Sequence, residues 1–475
     1  MTSRFLIVLA LLLTGAAPSY SQLPEAMRAG LREAQIPEDA VGLLVLRLPD
    51  GAPVLAHREK ESMQPASTLK LLTSLVALET LGPAYRARTH LRVAGEIVDG
   101  VVKGDLVLQG GGDVDFDWMS LERMLDSLRL RGVREIAGDV ILDLSRFQPA
   151  RTDVGLPPFD EEPEFRYNVI PDALLLNSYL LRLDMVSRDK VVAMKATPAL
   201  DGVSLVSGFD LVDRPCDDWE DGWKAPVVTR DRQDRVTIRL RGEFPRDCSA
   251  TTEINVIDRV EYADRLVRTL WSRMGGKLGG RVREGKGPAE SKEIAEHLSR
   301  PLAEVVRDIN KHSDNPITRV VYLTLGASGN GEAAARTADR SELIVHAWLA
   351  KHGVDPAGLI LDNGSGLSRT ERIRPDQLAA VLKAGASSRW APEFVSTLPI
   401  VGIDGAMRNR LKDSAATARA RIKTGTLRNV SAVAGYVDDS KGRTHIVVAM
   451  INHDKAVRKV ARPILDSLVD WVARQ

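Results

Sequence analysis

The chain has 475 residues, 44% of them apolar and 27% charged, the balance of an ordinary folded protein rather than a disordered or fibrous one. At roughly 100–200 residues per domain this is material for two to four domains, each able to bury a core without cross-links. Lys and Arg total 65 against 64 Asp and Glu, so the net charge is +1 and the basic excess of a nucleic-acid binder is absent.

Met1 to Arg4 carry one positive charge, residues 5–13 are an unbroken apolar run, and 14–21 are small and turn-prone. This is the pattern of a secretory signal peptide over 1–21, and the run is too short to span a bilayer. Cleavage is expected before Gln22, with cleavage after Ala17 as the alternative; a buried N-terminal helix is the competing reading. The segment has no Cys for a lipoprotein anchor. No other stretch reaches the ~20 apolar residues of a membrane span. The expected mature protein is therefore soluble, without a transmembrane anchor, and exported to the periplasm.

Residues 23–34 have helical periodicity, and 41–48 with 53–57 read as a hairpin around Pro49-Asp50-Gly51. A helix is expected over 67–81, striped by Leu71, Leu72, Leu75, Val76 and Leu78 and stopped by Gly82-Pro83. From about 88 to 288 strand-like runs (90–93, 104–108, 138–144, 180–185, 190–195, 236–240) alternate with turns. Gly110-Gly111-Gly112-Asp113 reads as a turn between two of these strands, and the acidic, aromatic stretch 159–167 as a boundary. Helical patterns occupy 302–384, a second hairpin 430–437 and 444–451, and a final helix 457–473. That helix mixes Asp466 and Asp470 with Arg458 and Lys459, so core packing is favoured over a membrane surface. The whole reads as an α+β domain interrupted by a β-rich insertion.

Cys216 and Cys248 are the only cysteines. Export makes a disulfide the default, closing a loop of about thirty residues and contributing ~2–4 kcal/mol; two buried free thiols are the other reading. With no HExxH and no CxxC, neither a metal site nor a cofactor is expected.

Three short motifs can carry chemistry. Ser67-Thr68-Leu69-Lys70 opens the 67–81 helix, and i, i+3 spacing puts hydroxyl and amine on one face, at the positive end of the helix dipole. A neutral Lys there can take the Ser proton, and burial and a nearby second cation both lower a Lys pKa toward that role. Ser187-Arg188-Asp189-Lys190 matches the same spacing but lies in a polar turn with no helix to align the pair. Ser313-Asp314-Asn315 precedes Pro316 and a helix; the plain alternative is an N-cap cluster. Ser328-Gly329-Asn330 is a second SxN match in a Gly-rich loop. Lys423-Thr424-Gly425-Thr426 ends the alternating run 420–423, where Gly lets a ligand approach the strand and Lys and Thr bind a carboxylate; a surface strand with one basic residue is its plain reading. In this order, S-x-x-K, S-D-N and K-T-G are the signature set of serine β-lactamases and penicillin-binding proteins.

On these motifs the chain resembles the D-alanyl-D-alanine carboxypeptidase/endopeptidases of peptidase family S13, the class C low-molecular-mass penicillin-binding proteins. The resemblance runs from about 42 to 451. It includes the segment 104–113, the Asp362-Asn363-Gly364-Ser365-Gly366-Leu367-Ser368-Arg369 segment, which is similar to the family's DGSGLSR with Asn363 extra, and 398–405, after which Ala406 stands where the family usually has Thr. Ser67 and Ser313 are 246 positions apart, far more than in ordinary β-lactamases, and the family fills such a gap with two nested domains. The resemblance thus implies a transpeptidase-like domain over 22–88 and 289–475, an inserted domain II over 89–162 and 256–288, and a nested domain III over 163–255.

It implies acyl transfer on peptidoglycan peptides ending in D-Ala-D-Ala, and covalent capture of β-lactam antibiotics. Ser67 is the nucleophile, Lys70 its base and Ser313 the proton relay to the leaving amine. Asn315 holds the substrate amide, Lys423, Thr424 and Thr426 the terminal carboxylate beside Gly425, and the N–H groups of Ser67 and Thr426 the oxyanion. No Glu-x-x-Leu-Asn follows the SDN motif, so the deacylating Glu of class A β-lactamases has no counterpart. The rival readings are a β-lactamase, a non-catalytic cell-wall sensor and a general serine esterase.

Overall fold

The computed structural model describes residues 22–475 apart from Pro49, 154–161 and 330–335. The expected signal peptide, Pro49 of the first turn, 159–161 of the boundary stretch and Asn330 of the second SxN match lie outside the described residues.

Two distant parts of the chain build one sheet. Its five strands run in the order Ala420–Leu427, Val430–Asp438, Thr444–Asn452, Val41–Arg47, Pro53–His57, all neighbours antiparallel. Val41 sits opposite Ile451 and Arg47 opposite His445, so the N-terminal strand closes the domain from which the insertion leaves. Alternate side chains enter two cores. Leu44, Ala432, Ala434, Ile446, Val448 and Met450 pack on the helices Lys70–Leu81, Leu302–His312, Asn315–Ser328 and Pro375–Ser387. Val45, Val433, Val447, Ala449 and Ile451 pack on Glu25–Glu33 and Arg458–Ala473. The last helix is core-packed, as its mixed polar face requires.

The chain leaves this domain after Lys70–Leu81 and forms a seven-stranded sheet around the hairpin Arg88–Val98 and Val101–Gly110. Three expectations are corrected there. First, the middle is not strands and turns alone. Trp118–Leu130 and Arg259–Arg273 are helices capped by the Asp117 and Asp258 carboxylates, and they bury Leu121, Met124, Leu125, Leu128 and Tyr262, Leu266, Val267, Leu270 at helical spacing. Second, Gly110 to Asp113 does not join two strands. It leads into helix Trp118–Leu130, after which Glu135–Ile136 and Val140–Asp143 pair parallel to Val101–Gly110, a connection that needs a crossover helix. Third, the return to the first domain comes after residue 298, not 289, because Lys292–Leu298 is an edge strand on Arg88–Val98. Its solvent-facing Lys and Glu hide the strand pattern.

Two three-stranded sheets lie between residues 181 and 254: Leu181–Arg188 with Val191–Thr197 and Ser249–Ile254, and Val203–Val212 with Trp223–Arg230 and Val236–Pro245. Cys216 and Cys248 are disulfide-bonded here, Cα atoms 5.2 Å apart. Helix Asn315–Ser328 joins the two halves of the molecule. Ile317, Val321, Tyr322 and Leu325 face the first core, Val320 and Leu323 that of the insertion, so the SDN motif at its start sits at the junction. Among the described residues no helix is long and apolar enough to cross a membrane.

Candidate active site

Ser67 lies one turn earlier in the local structure than expected. Ala66–Leu69 is a 3-10 turn, and the α-helix proper starts at Lys70. Ala66 takes a left-handed conformation (φ 46°), and the Thr68 N–H and hydroxyl both donate to the Pro65 carbonyl, at 3.3 and 2.7 Å. The turn keeps Ser67 partly exposed while Lys70 is fully buried.

The Lys70 Nζ is 2.9 Å from Ser67 Oγ, 2.6 Å from Asn315 Oδ1 and 2.6 Å from the Ser365 carbonyl oxygen. As an ammonium it donates to all three. As a neutral amine it donates to Asn315 and Ser365 and keeps its lone pair for the Ser67 hydroxyl. Loss of hydration lowers its pKa to about 7, against the opposing pull of the Asp314 and Glu371 carboxylates. Lys423 is also fully buried. Its Nζ donates to Ser313 Oγ at 2.9 Å and to the Thr424 carbonyl at 2.8 Å. Burial and then the neighbouring Lys70 charge push its pKa well down. Of the two causes expected to lower a lysine here, burial leads at both Lys70 and Lys423, and the repulsion between the two lysines adds to it at Lys423.

The strand Ala420–Leu427 is an edge strand, and the KTG residues lie inside it rather than at its end. The Ile422 N–H bonds the Pro399 carbonyl at 2.8 Å across the open edge. With a strand period of two, the Thr424 and Thr426 N–H groups leave the sheet on that same side. Gly425 packs against the Ser67 turn so closely that a Cβ there would stand 2.7 Å from the Pro65 oxygen and 3.0 Å from the Ser67 nitrogen. Ser313 caps helix Leu302–His312 in the left-handed region (φ 61°), the kind of backbone strain that collects at functional sites.

Ser67, Ser313, Asn315 and Thr426 thus line one cavity of about 480 Å³, with Glu162, Tyr167, Leu367, Arg369, Leu427 and Arg428 completing its wall. Glu162, Tyr167, Ser313 and Asn315 also border a second cavity of about 770 Å³ that continues between the insertion and the SDN turn. Lys70 and Lys423 sit behind the wall. Ser187 and Lys190 of the other SxxK match flank the turn between two strands of the insertion, and Ser187 is tied to the Pro245 carbonyl at 2.7 Å.

Two contributors were not evident from sequence. Glu371 is fully buried, and its carboxylate accepts the N–H groups of Asn363, Gly364 and Gly366 at 2.9, 2.7 and 2.8 Å. It thereby winds 362–369 into the loop that presents the Ser365 carbonyl to Lys70. Burial raises its pKa. Tyr167, from the insertion, uses its backbone carbonyl to accept the Asn315 Nδ2 hydrogen bond at 3.0 Å. A glutamate after a Ser/Gly loop reads as solvent-facing by default, and a backbone carbonyl has no sequence signal at all.

The D-Ala-D-Ala carboxypeptidase 3 (S13) family profile matches residues 23–475. The chain belongs to that family. It is 28% identical to a D-alanyl-D-alanine carboxypeptidase of an Actinomadura species, over 94% of this chain and 85% of the relative. It is 25% identical to the D-alanyl-D-alanine carboxypeptidase DacB of Haemophilus influenzae, over 88% and 86%. The fold is similar to the crystal structure of penicillin binding protein 4 (dacB) from Haemophilus influenzae, with TM-score 0.75 at 22% identity over 92% and 96% of the two chains. As an S13 family member the protein is a serine-type D-Ala-D-Ala carboxypeptidase, and the transpeptidase-like fold with its insertion is the expected one.

Proposed function

We propose that the protein is exported and trims peptidoglycan stem peptides through an acyl-enzyme on Ser67, with Lys70 as general base. The observation that carries this reading is the Lys70 amine, fully buried, lowered to about 7 and 2.9 Å from the Ser67 hydroxyl. Ser67 Oγ attacks the carbonyl of the D-Ala-D-Ala bond as its proton passes to Lys70 Nζ. The N–H groups of Ser67 and Thr426 face the developing oxyanion, and such donors contribute several kcal/mol of barrier lowering each. Ser313, backed by Lys423, relays the proton taken up at Lys70 to the leaving nitrogen as the C–N bond breaks, leaving Lys70 neutral and Ser313 as a hydroxyl. Asn315 aligns the substrate amide, and Thr424 and Thr426 with Lys423 receive the terminal carboxylate. Water then attacks the ester, and Ser67 is restored. A penicillin follows the same path as far as the ester.

The second cavity has room for the leaving strand of a cross-link, which supports endopeptidase as well as carboxypeptidase action. Incubation with a fluorescent penicillin and with a peptide ending in D-Ala-D-Ala tests the reading. A stable labelled band and free D-Ala are expected, both absent in Ser67→Ala. Rapid turnover of the penicillin without a stable band identifies a β-lactamase instead.

A further inference from the structure

The insertion reaches the SDN turn through the 3-10 turn Arg166–Asn168. The Arg166 guanidinium donates through Nε and Nη2 to one oxygen of Asp314, at 3.0 and 2.9 Å, and through Nη1 to Glu253 at 2.9 Å. The other Asp314 oxygen accepts the Ile317 N–H at 2.9 Å and caps helix Asn315–Ser328. One residue along, the Tyr167 carbonyl holds Asn315. Glu253 lies in strand Ser249–Ile254, whose Ile254 also bridges to Phe165. The middle residue of the SDN motif, which contacts neither Ser67 nor the cavity that holds it, is therefore the handle by which the insertion grips the catalytic turn.

We propose that Arg166 is a positioning residue for the acylation step: it fixes the SDN turn by its paired hydrogen bonds to Asp314 and neutralises that carboxylate beside Lys70. The proposal rests on Lys70 acting as the base. Arg166 touches no reacting atom, so its effect travels through Asp314. Two consequences separate it from a general stabilising ion pair. The first is geometric. Ser313 and Asn315 flank Asp314, and each is bonded to one of the two buried lysines. A turn that shifts by about 1 Å misplaces both, a displacement that costs on the order of 10²-fold in rate.

The second is electrostatic. The carboxylates that act on Lys70 are Asp314 from the SDN turn and Glu371 from behind the 362–369 loop, and the neighbouring cation is Lys423 from the edge strand, on which Lys70 acts in turn. Arg319, on the helix that Asp314 caps, answers Glu371 and Asp362. Arg166 is the cation bonded directly to Asp314. Without it the Asp314 charge acts on Lys70 unopposed, the ammonium is favoured, and a higher pH is needed to free the base.

The test measures the second-order rate of acylation by penicillin against pH, together with thermal melting, for the full chain and for Arg166→Met and Arg166→Lys. Arg166→Met should still form the Ser67 adduct, but about 10–100-fold more slowly near pH 7, with the acid limb of the profile moved to higher pH. Arg166→Lys keeps the charge and loses the fork, so it should return the limb toward its original position while the plateau rate stays reduced. A folded Arg166→Met with an unmoved limb, or a moved limb that Lys does not restore, overturns the proposal. Absence of a Ser67 adduct in the unmodified protein would overturn the functional reading itself, and is thus a distinct result.

Discussion

A lysine in a protein interior loses the hydration that keeps its ammonium charged, and Lys70 shows what that does for a neighbouring hydroxyl. With its pKa near 7, the neutral amine is present at physiological pH, and acylation should follow its fraction. The rate is expected to rise about tenfold per pH unit up to about 7 and level off above it, measured with penicillin between pH 5 and 9. Lys70→Ala should lower the rate by ~10²–10⁴-fold and erase that limb, leaving a folded protein by circular dichroism. Glu371 acts in the opposite sense. Its carboxylate favours the Lys70 ammonium, so Glu371→Gln should move the limb to lower pH. The same change puts an NH₂ among backbone donors, where an unmet group costs ~1–3 kcal/mol, and melting should fall by several degrees. At this scale the residues of the three motifs were legible because each lies within four positions of its partners. Glu371, Asp314 as an anchored carboxylate and the Tyr167 carbonyl were not, because only the tertiary fold brings them to Lys70.

Between elements, the critical distance is that from the edge strand Ala420–Leu427 to the Ser67 turn. Gly425 sets it, since an added Cβ meets backbone on the other side, the Pro65 oxygen and the Ser67 nitrogen, and neither can rotate away. Gly425→Ala should therefore slow acylation by about 10²-fold through a widened gap, with a much smaller change in melting temperature than in rate. The hairpins and helices of the first domain could be read because hydrophobic period and turn residues agree there. The insertion was harder. Helix Arg259–Arg273 carries six charged residues, and the edge strand Lys292–Leu298 shows alternation masked by charge. The Gly110 to Asp113 turn takes its meaning from the parallel pairing downstream, which no local window contains.

For the whole molecule, the chain is a catalytic domain closed by a strand pair from its two ends, with an insertion that meets it at the SDN turn. The disulfide ties strand Ser249–Ile254 to the Cys216 loop of that insertion. Cys216→Ala with Cys248→Ala should cost about 2–4 kcal/mol of stability, seen as a lower melting temperature, while most penicillin labelling survives because Ser67, Lys70 and the edge strand belong to the other core. The order of the motifs revealed that core and the insertion's existence. How the two halves touch was not legible, since Arg166 and Asp314 are 148 positions apart.

The central claim is that Ser67 bears the covalent bond. Mass spectrometry of the proteolysed, penicillin-treated protein tests it most directly. The account predicts the penicilloyl mass on the peptide containing Ser67, and none in Ser67→Ala. An adduct on any other residue, or undiminished labelling of Ser67→Ala, would contradict it.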